Sequence, residues 1–230
     1  MKNLTVIIPF YNEEKFLEAS INRVLKSQVA DFLILVDDCS TDNSLNIAIE
    51  KTKNLKSVSI IKSHMNQGKG NALNLAKKYI KTTHVVIHDA GLEYFPDDIV
   101  KMIEKAKLSP NSLILGSRFI GVLKRDNIYK RTYFANKIMS LFFSILHLYR
   151  VSDIATCYKL MPVSFFKKTD LKEKGFAIEV ELVAKFLKFN RSIIEIPIRY
   201  AGRSYEEGKK IKAFDGFNYI LKTFKYKLFR

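Results

Sequence analysis

The segment 88–94 (HDAGLEY) carries the residue types and spacing that most suggest catalysis in this chain of 230 residues. It follows the apolar run 85–87, so Asp89 stands at the carboxyl end of a predicted buried strand. Open α/β sheets bind their ligands at that end. An Asp-x-Asp pair there would indicate a divalent metal ion that holds a diphosphate. Gly91 occupies the position of the second Asp, and Glu93 follows it as a further carboxylate.

Three more loops with charged or polar residues follow predicted strands in the first half of the chain. They are 9–14 (PFYNEE), 36–42 (VDDCSTD) and 66–71 (NQGKGN). Because parallel strands end at one edge of a sheet, we expect these loops to meet the Asp89 loop in one crevice. Carboxylates there can accept hydrogen bonds from hydroxyls, and the Gly-Lys-Gly turn opens a helix whose N-terminus favours anions. Each loop alone is a weak signal, but the four together indicate nucleotide-sugar chemistry.

Strand and helix patterns alternate through the first half of the chain. The predicted strands are 4–9, 32–36, 58–62, 85–87 and 113–115, and the predicted helices are 13–28, 42–53, 70–80 and 96–107. This alternation predicts a mostly parallel, twisted, Rossmann-like α/β sheet flanked by helices. The second half is predicted to contain helices at 130–150, 179–189 and 213–229 and a strand at 193–198. We expect one domain, in which residues 1–120 bind the nucleotide sugar and 121–230 bind the acceptor.

The composition limits the partners and the compartment. A formal net charge of +16 indicates a polyanionic partner, which is a nucleic acid, an anionic membrane or a phosphorylated substrate. Two distant cysteines give no disulfide framework, so we expect a reducing cytosol. No segment reaches the roughly 18 apolar residues that span a bilayer.

Two helices of the second half are basic and amphipathic, at 130–150 and 213–229. Such helices favour a peripheral membrane enzyme, because apolar side chains enter the interface while basic ones meet anionic lipid. In the last helix, one apolar stripe contains Phe214, Phe217, Leu221, Phe224 and Leu228. Packing against the core is an equally weighted alternative for both helices. We expect the chain to dock by its own surface or through a membrane-protein partner.

Several motifs in order make the chain resemble a known family. They are VIIPFYNEE, VDDCSTDNS, NQGKGNAL, HDAGLEYFPDDI, GSRF at 116–119 and GRSYEEGKKI at 202–211. The chain resembles the inverting family 2 glycosyltransferases with the GT-A fold. Within that family it is most similar to the dolichyl- and polyprenyl-phosphate sugar synthases of the dolichol-phosphate mannose synthase type.

The resemblance implies a role for individual residues. Those that match donor- and substrate-binding positions are Pro9, Tyr11, Glu13, Asp37, Asp38, Lys69, Ala90, Gly91, Arg203 and Lys210. Asp89 and Glu93 match ligands of Mg²⁺ or Mn²⁺, and Arg118 and Arg131 match arginines that engage the acceptor phosphate. Asp89, Arg118 and Arg131 are therefore the predicted catalytic residues. Because Gly91 departs from the family pattern, we expect a working site whose metal binding is altered or weakened.

Alternatives remain for the acceptor and for turnover. A lipid phosphate is already ionised, so its transfer needs positioning rather than a strong base. A glycan hydroxyl would need a carboxylate base, for which Asp153 is the candidate. A degenerate protein would bind the nucleotide sugar without turnover. Nucleic-acid binding would explain the charge, but no recognised binding motif supports it and we expect none.

Overall fold

The computed structural model describes residues 3–121, 123, 125–126, 130–203 and 213–228. The strands are β1 (Leu4–Phe10), β2 (Phe32–Asp37), β3 (Val58–Lys62), β4 (His84–Ile87), β5 (Leu113–Ser117), β6 (Arg125–Asp126), β7 (Lys159–Pro162), β8 (Ile193–Pro197) and β9 (Tyr200–Ala201). The helices are α1 (Leu17–Ser27), α2 (Ser44–Thr52), α3 (Lys69–Ala76), α4 (Asp98–Leu108), α5 (Lys130–His147), α6 (Val163–Lys168), α7 (Ile178–Phe189) and α8 (Ala213–Leu228). A single 3₁₀ turn, Lys77–Tyr79, follows α3.

Within the described residues, seven strands form one sheet in the order β3-β2-β1-β4-β7-β5-β8. Strands β3, β2, β1 and β4 are parallel to one another, and β5 is parallel to β8. Strand β7 runs antiparallel to both of its neighbours, β4 and β5. The predicted mostly parallel sheet with flanking helices is therefore confirmed. The short strands β6 and β9 pair separately.

Some elements differ from the sequence-based prediction. Helix α1 begins at Leu17, because the backbone N–H groups of Phe16 and Leu17 bond to the carbonyl of Glu13 and turn the preceding loop. Helix α5 ends at His147, where Leu148 adopts a left-handed φ of 50° that closes the helix. Strands β6, β7 and β9 and helix α6 were not predicted. They are short, so their sequences carry little periodic signal.

One core of buried apolar residues extends from Leu4 on β1 to Tyr226 on α8. It joins the two predicted halves, whose separate binding roles stay a prediction. Helix α7 lies deep in this core, and its two glutamates, Glu179 and Glu181, are buried with it. Buried carboxylates need charged or hydrogen-bonded partners, so α7 must be matched by cations from other elements.

Among the described residues, no helix combines the length and the apolar character that crossing a membrane requires.

Candidate active site

A cavity of about 320 Å³ lies at the carboxyl ends of β1, β2 and β4. All four predicted loops contribute to its wall, together with α5, the first turn of α7, the segment after β9, and α8. The predicted site residues that line it are Pro9, Tyr11, Glu13, Asp38, Lys69, Asp89, Ala90, Gly91, Glu93, Arg118 and Arg203. Arg131 is exposed in the first turn of α5, next to the wall residue Thr132. Lys210 lies outside the described residues.

The two neighbouring aspartates at the end of β2 have different surroundings. The carboxylate of Asp38 accepts hydrogen bonds from the backbone N–H groups of Gln67 (3.1 Å) and Gly68 (2.6 Å), so it ties β2 to the Gly-Lys-Gly turn. Asp37 is fully buried and does not line the cavity. Its Oδ1 accepts the Ser40 N–H at 2.9 Å, while its Oδ2 has no hydrogen-bond partner among the described residues. Asp38 therefore faces the cavity, and Asp37 lies beneath it.

The Gly-Lys-Gly turn is held in place by contact with the segment before α7. Gly68 has a φ of 83°, which disfavours any side chain, and a Cβ there would lie 2.2 Å from the carbonyl oxygen of Lys174. A Cβ on Gly70 would lie 2.1 Å from the carbonyl oxygen of Glu173. The two glycines thus let the turn pack tightly against the segment before α7. Lys69, which lies between them, is one of the residues that line the cavity.

Lys69 belongs to a row of alternating charges that leads from the cavity into the core. Its Nζ lies 2.7 Å from Asp89 Oδ1 and 2.8 Å from Glu179 Oε1. The other oxygen of Glu179 lies 2.5 Å from Nζ of Lys159, which is fully buried on β7. Each charge is therefore compensated by a neighbour, as buried ions require. Neither Glu179 nor Lys159 was predicted as a site residue from the sequence, although a glutamate within the apolar sequence of α7 was a usable signal.

The pKa values in this row follow from burial and charge together. Burial alone would raise the pKa of Asp89, but the Lys69 ammonium outweighs it and holds that pKa below its usual value. Burial alone would lower the pKa of Lys69, but Asp89, Cys157 and Glu179 raise it well above its usual value. Burial raises the pKa of the Cys157 thiol well above its usual value. Asp89 and Lys69 are thus an ion pair near neutral pH, beside a neutral thiol.

Arg203 and Glu93, which both line the cavity, form a second ion pair. Arg203 donates from Nη1 to Glu13 Oε2 and from Nη2 to Glu93 Oε2, both at 3.2 Å, and its Nε lies 2.6 Å from Glu93 Oε1. The guanidinium also stacks over Phe16, with 4.7 Å between its carbon and the ring centroid. Burial raises the pKa of Glu93 by more than Arg203 lowers it. Arg203 thus joins the loop after β9 to the loops after β1 and β4.

The predicted metal site at Asp89 and Glu93 is not assembled in this arrangement. Asp89 is paired with Lys69, Glu93 is paired with Arg203, and Gly91 supplies no ligand. Across the part of the chain that the structure describes, no group of three or more His, Cys, Asp or Glu residues could hold a metal ion. As placed, these side chains do not fit a Mg²⁺ or Mn²⁺ site built on two free carboxylates.

Arg118 also lines the cavity and is held by Asp153. Its Nε and Nη2 donate to the two carboxylate oxygens at 2.7 and 2.8 Å, and its backbone N–H donates to Oδ2 at 3.0 Å. The guanidinium also lies over the rings of Phe119 and Tyr200. Asp153 is fully buried, so it orients Arg118 and has no access to an acceptor in the cavity.

The sequence of this chain is similar to those of known proteins. Residues 5–169 match the model of "Glycosyl transferase family 2". The UDP-N-acetylglucosamine–dolichyl-phosphate N-acetylglucosaminyltransferase of Methanococcus voltae is 28% identical over 246 residues, covering 99% of this chain and 97% of that protein. The dolichol-phosphate mannosyltransferase of Pyrococcus furiosus is 27% identical over 234 residues, covering 97% of this chain and 64% of that protein.

Solved structures show the same fold. Glucosyl-3-phosphoglycerate synthase from Mycobacterium tuberculosis, in complex with Mn²⁺, UDP-glucose and phosphoglyceric acid, superimposes with a TM-score of 0.75. The match covers 98% of this chain and 79% of the synthase at 15% sequence identity. The predicted GT-A fold is thereby confirmed. Since the family model matches more than half of the sequence, the chain belongs to glycosyl transferase family 2, and the predicted resemblance and glycosyltransferase activity are confirmed.

Proposed function

We propose that this glycosyltransferase moves one sugar, with inversion, from a nucleoside diphosphate to a polyprenyl phosphate at the cytosolic face of a membrane. The observation that carries the proposal is the two-sided character of α5. One face of this helix lines the cavity, and the opposite face is apolar and exposed. A phosphate bound in the cavity would thus lie beside a surface suited to the lipid chain that bears it.

The two faces follow from helical spacing. Thr132, Asn136 and Met139 line the cavity, and residues three or four apart share one face of a helix. On the opposite face, and directly after the helix at Leu148, five apolar side chains are between 61% and 78% exposed. We call them the apolar ridge: Phe134, Ile138, Leu141, Ile145 and Leu148. The exposure of this face supports interfacial docking over the alternative of core packing for α5.

Helix α8 extends the ridge with further exposed apolar side chains. Phe142 of α5 meets Phe224 of α8 edge to face at 5.0 Å, and Leu221 and Leu228 are exposed beside it. Lys130, Lys137 and Lys227 are exposed on the same two helices. Each basic residue close to an anionic leaflet contributes about 1 kcal/mol to binding. This surface suits peripheral docking on an anionic membrane.

The chemistry of transfer fits a phosphate acceptor. An acceptor phosphate oxygen attacks the anomeric carbon, the bond from that carbon to the donor phosphate oxygen breaks, and the nucleoside diphosphate leaves with the electron pair. The acceptor is already ionised, so no general base is needed, and Arg118 is fixed by Asp153 to orient it. A glycan hydroxyl would need a base, but the buried ion pair of Asp153 argues against that residue.

The relatives support the acceptor class. Two of them are named for transfer to dolichyl phosphate, from Methanococcus voltae and Homo sapiens, and one for mannosyl transfer to undecaprenyl phosphate, from Micrococcus luteus. Their sequence identities to this chain lie between 24% and 28%. The names of these relatives therefore do not establish which sugar or which nucleotide base this chain uses.

The decisive experiment is a transfer assay with purified protein in lipid vesicles. A panel of nucleoside diphosphate sugars is combined with undecaprenyl or dolichyl phosphate, and both the released nucleotide and the glycolipid are measured. We expect stoichiometric nucleotide and glycolipid from at least one combination. Donor binding without product would identify a degenerate binding protein. Product only with a glycan acceptor would replace the lipid phosphate by a hydroxyl acceptor.

A further inference from the structure

Gly91 has no side chain, and the Arg203–Glu93 ion pair occupies the space that a side chain at position 91 would need. A Cβ on Gly91 would lie 1.9 Å from Arg203 Nη2 and 2.0 Å from Glu93 Oε2. Gly91 does not have a positive φ, so its backbone would accept a side chain, and the conflict is over space alone. The guanidinium of Arg203 thus occupies the place of a residue-91 side chain.

We propose that Arg203 and Lys69 bind the donor diphosphate in this chain without a divalent ion, and that Gly91 is the residue that permits this arrangement. The inference rests on the proposed function, because it concerns the donor of the same reaction. The solved synthase from Mycobacterium tuberculosis contains Mn²⁺ together with UDP-glucose, whereas in this chain two side chains would supply the positive charge.

Both cations line the cavity, and both can accept a further hydrogen-bonding partner. Glu13 and Glu93 engage the three nitrogens of Arg203, but each terminal nitrogen of a guanidinium carries two N–H groups. Lys69 has three donors and shares them with Asp89, Glu179 and, at 3.5 Å, the weak acceptor Cys157. A phosphate oxygen can therefore be added to Arg203, and can replace the weak Cys157 contact of Lys69, without breaking the ion pairs of either cation.

The neighbouring carboxylates explain why the cations are fixed in place. Arg203 lies between Glu13 and Glu93, and Lys69 lies between Asp89 and Glu179. Donors that are already oriented stabilise charge developing on a leaving group without reorganising during the reaction. A guanidinium also suits diphosphate geometry, because its planar fork can meet two oxygens at once. Arg203 is the diphosphate-binding residue, and Glu13 and Glu93 are its positioning residues.

The test is calorimetric titration of the full-length protein with UDP, GDP, ADP, CDP and dTDP, in EDTA and then in Mg²⁺ or Mn²⁺. For the nucleotide that binds, we expect affinities in EDTA and in Mn²⁺ to agree within about threefold. Arg203→Gln should weaken binding in EDTA by about tenfold or more. Arg199→Gln is the matched control, since Arg199 also pairs with a carboxylate, Asp98, and stacks on Phe95 but does not line the cavity.

Two substitutions at position 91 distinguish the effect of added side-chain volume, in Gly91→Ala, from the effect of an added carboxylate, in Gly91→Asp. Gly91→Ala should displace the Arg203–Glu93 pair and weaken binding in EDTA, and Mn²⁺ should not restore it. Gly91→Asp should weaken binding in EDTA equally, but Mn²⁺ should restore it and the variant should bind Mn²⁺ alone by electron paramagnetic resonance. The inference is overturned if the wild type binds nucleotide only with metal, or if Gly91→Ala binds as the wild type does. If no nucleotide binds under any condition, the proposed function itself fails and this inference falls with it.

Discussion

Asp153 holds both the side chain and the backbone of Arg118. Its Oδ2 accepts from the backbone N–H and from Nε, and its Oδ1 accepts from Nη2, at 2.7 to 3.0 Å. Burial alone would lower the pKa of Arg118, but Asp153 and Tyr94 raise it well above its usual value. The pair therefore keeps a buried cation at the cavity wall.

Removing one member of the Arg118–Asp153 pair should lower the stability of the folded protein. Asp153→Ala leaves the buried Arg118 unpaired and should lower the free energy of unfolding by about 3–5 kcal/mol. The double variant Arg118→Leu, Asp153→Leu should lose less than the single variant, because no unpaired charge remains. Urea denaturation followed by circular dichroism measures both. A loss under about 1 kcal/mol for Asp153→Ala would show that the charge is solvated.

The two predicted acceptor arginines should act on transfer rather than on donor binding. Arg118→Lys replaces the planar guanidinium by an ammonium, and Arg131→Ala removes a cation next to the cavity wall, so transfer should fall by about 10- to 100-fold in each variant. Nucleoside diphosphate affinity should stay unchanged in both. Arg150→Ala is the control, because Arg150 is also exposed and basic but lies beyond the end of α5. Unchanged transfer to the lipid phosphate by both variants would show that neither arginine engages the acceptor phosphate.

The parallel half of the fold could be predicted from the sequence because its signals are local. Strands such as β1 and β2 are continuous apolar runs, and helices between them have one apolar face. Strand β7 has the sequence KLMP, with a lysine and a proline in four residues, and nothing local marks it as a central strand. Lys159 is buried there because Glu179 compensates it across the fold. That pairing is visible only after folding.

The same distinction applies to the site. The loops that meet at the cavity were predicted because strand ends have a fixed place in a parallel sheet. The partners of the charged residues were not. The pairing of Asp89 with Lys69 was not predicted, nor was that of Glu93 with Arg203, which is 110 residues away; the assignment of Asp89 to a metal ion stays a prediction. Sequence spacing identifies which residues share a cavity, but long-range contacts decide which charges neutralise each other.

The apolar ridge should be needed for membrane binding and not for folding. The double variant Ile138→Glu, Ile145→Glu places two carboxylates on the exposed face of α5. Since burying one isoleucine contributes about 1.5–3 kcal/mol, its affinity for anionic vesicles should fall by at least about tenfold. Thermal unfolding should be nearly unchanged, because both side chains are more than 60% exposed.

Cosedimentation with phosphatidylglycerol vesicles at low salt measures this effect. Leu108→Glu is the matched control, because Leu108 is 77% exposed at the end of α4 and lies off the ridge. Equal cosedimentation of the ridge variant and the wild type would exclude the ridge as the docking surface. Wild-type binding that survives at high salt would show that the apolar contact outweighs the basic residues.

His147 should make stability depend on pH. It packs between α5 and α8, where its ring stacks on Phe143 at 4.2 Å and its Nε2 donates to the carbonyl oxygen of Thr223 at 3.4 Å. Burial, together with Lys227, Lys188 and Arg191, lowers the pKa of His147 from 6.5 to about 4. As pH falls through 6.5 the unfolded chain takes up this proton, whereas the folded chain does so only near pH 4.

The free energy of unfolding should therefore fall between about pH 6.5 and 4, by up to about 1.4 kcal/mol per pH unit for this group, and level off below that range. His147→Phe keeps the ring stacking but cannot be protonated, so its unfolding free energy should decline less steeply over the same range. His88, whose pKa burial also lowers to about 4, should leave a residual slope in the variant. Parallel curves for the wild type and His147→Phe would mean that His147 is protonated in the folded protein as readily as in the unfolded chain.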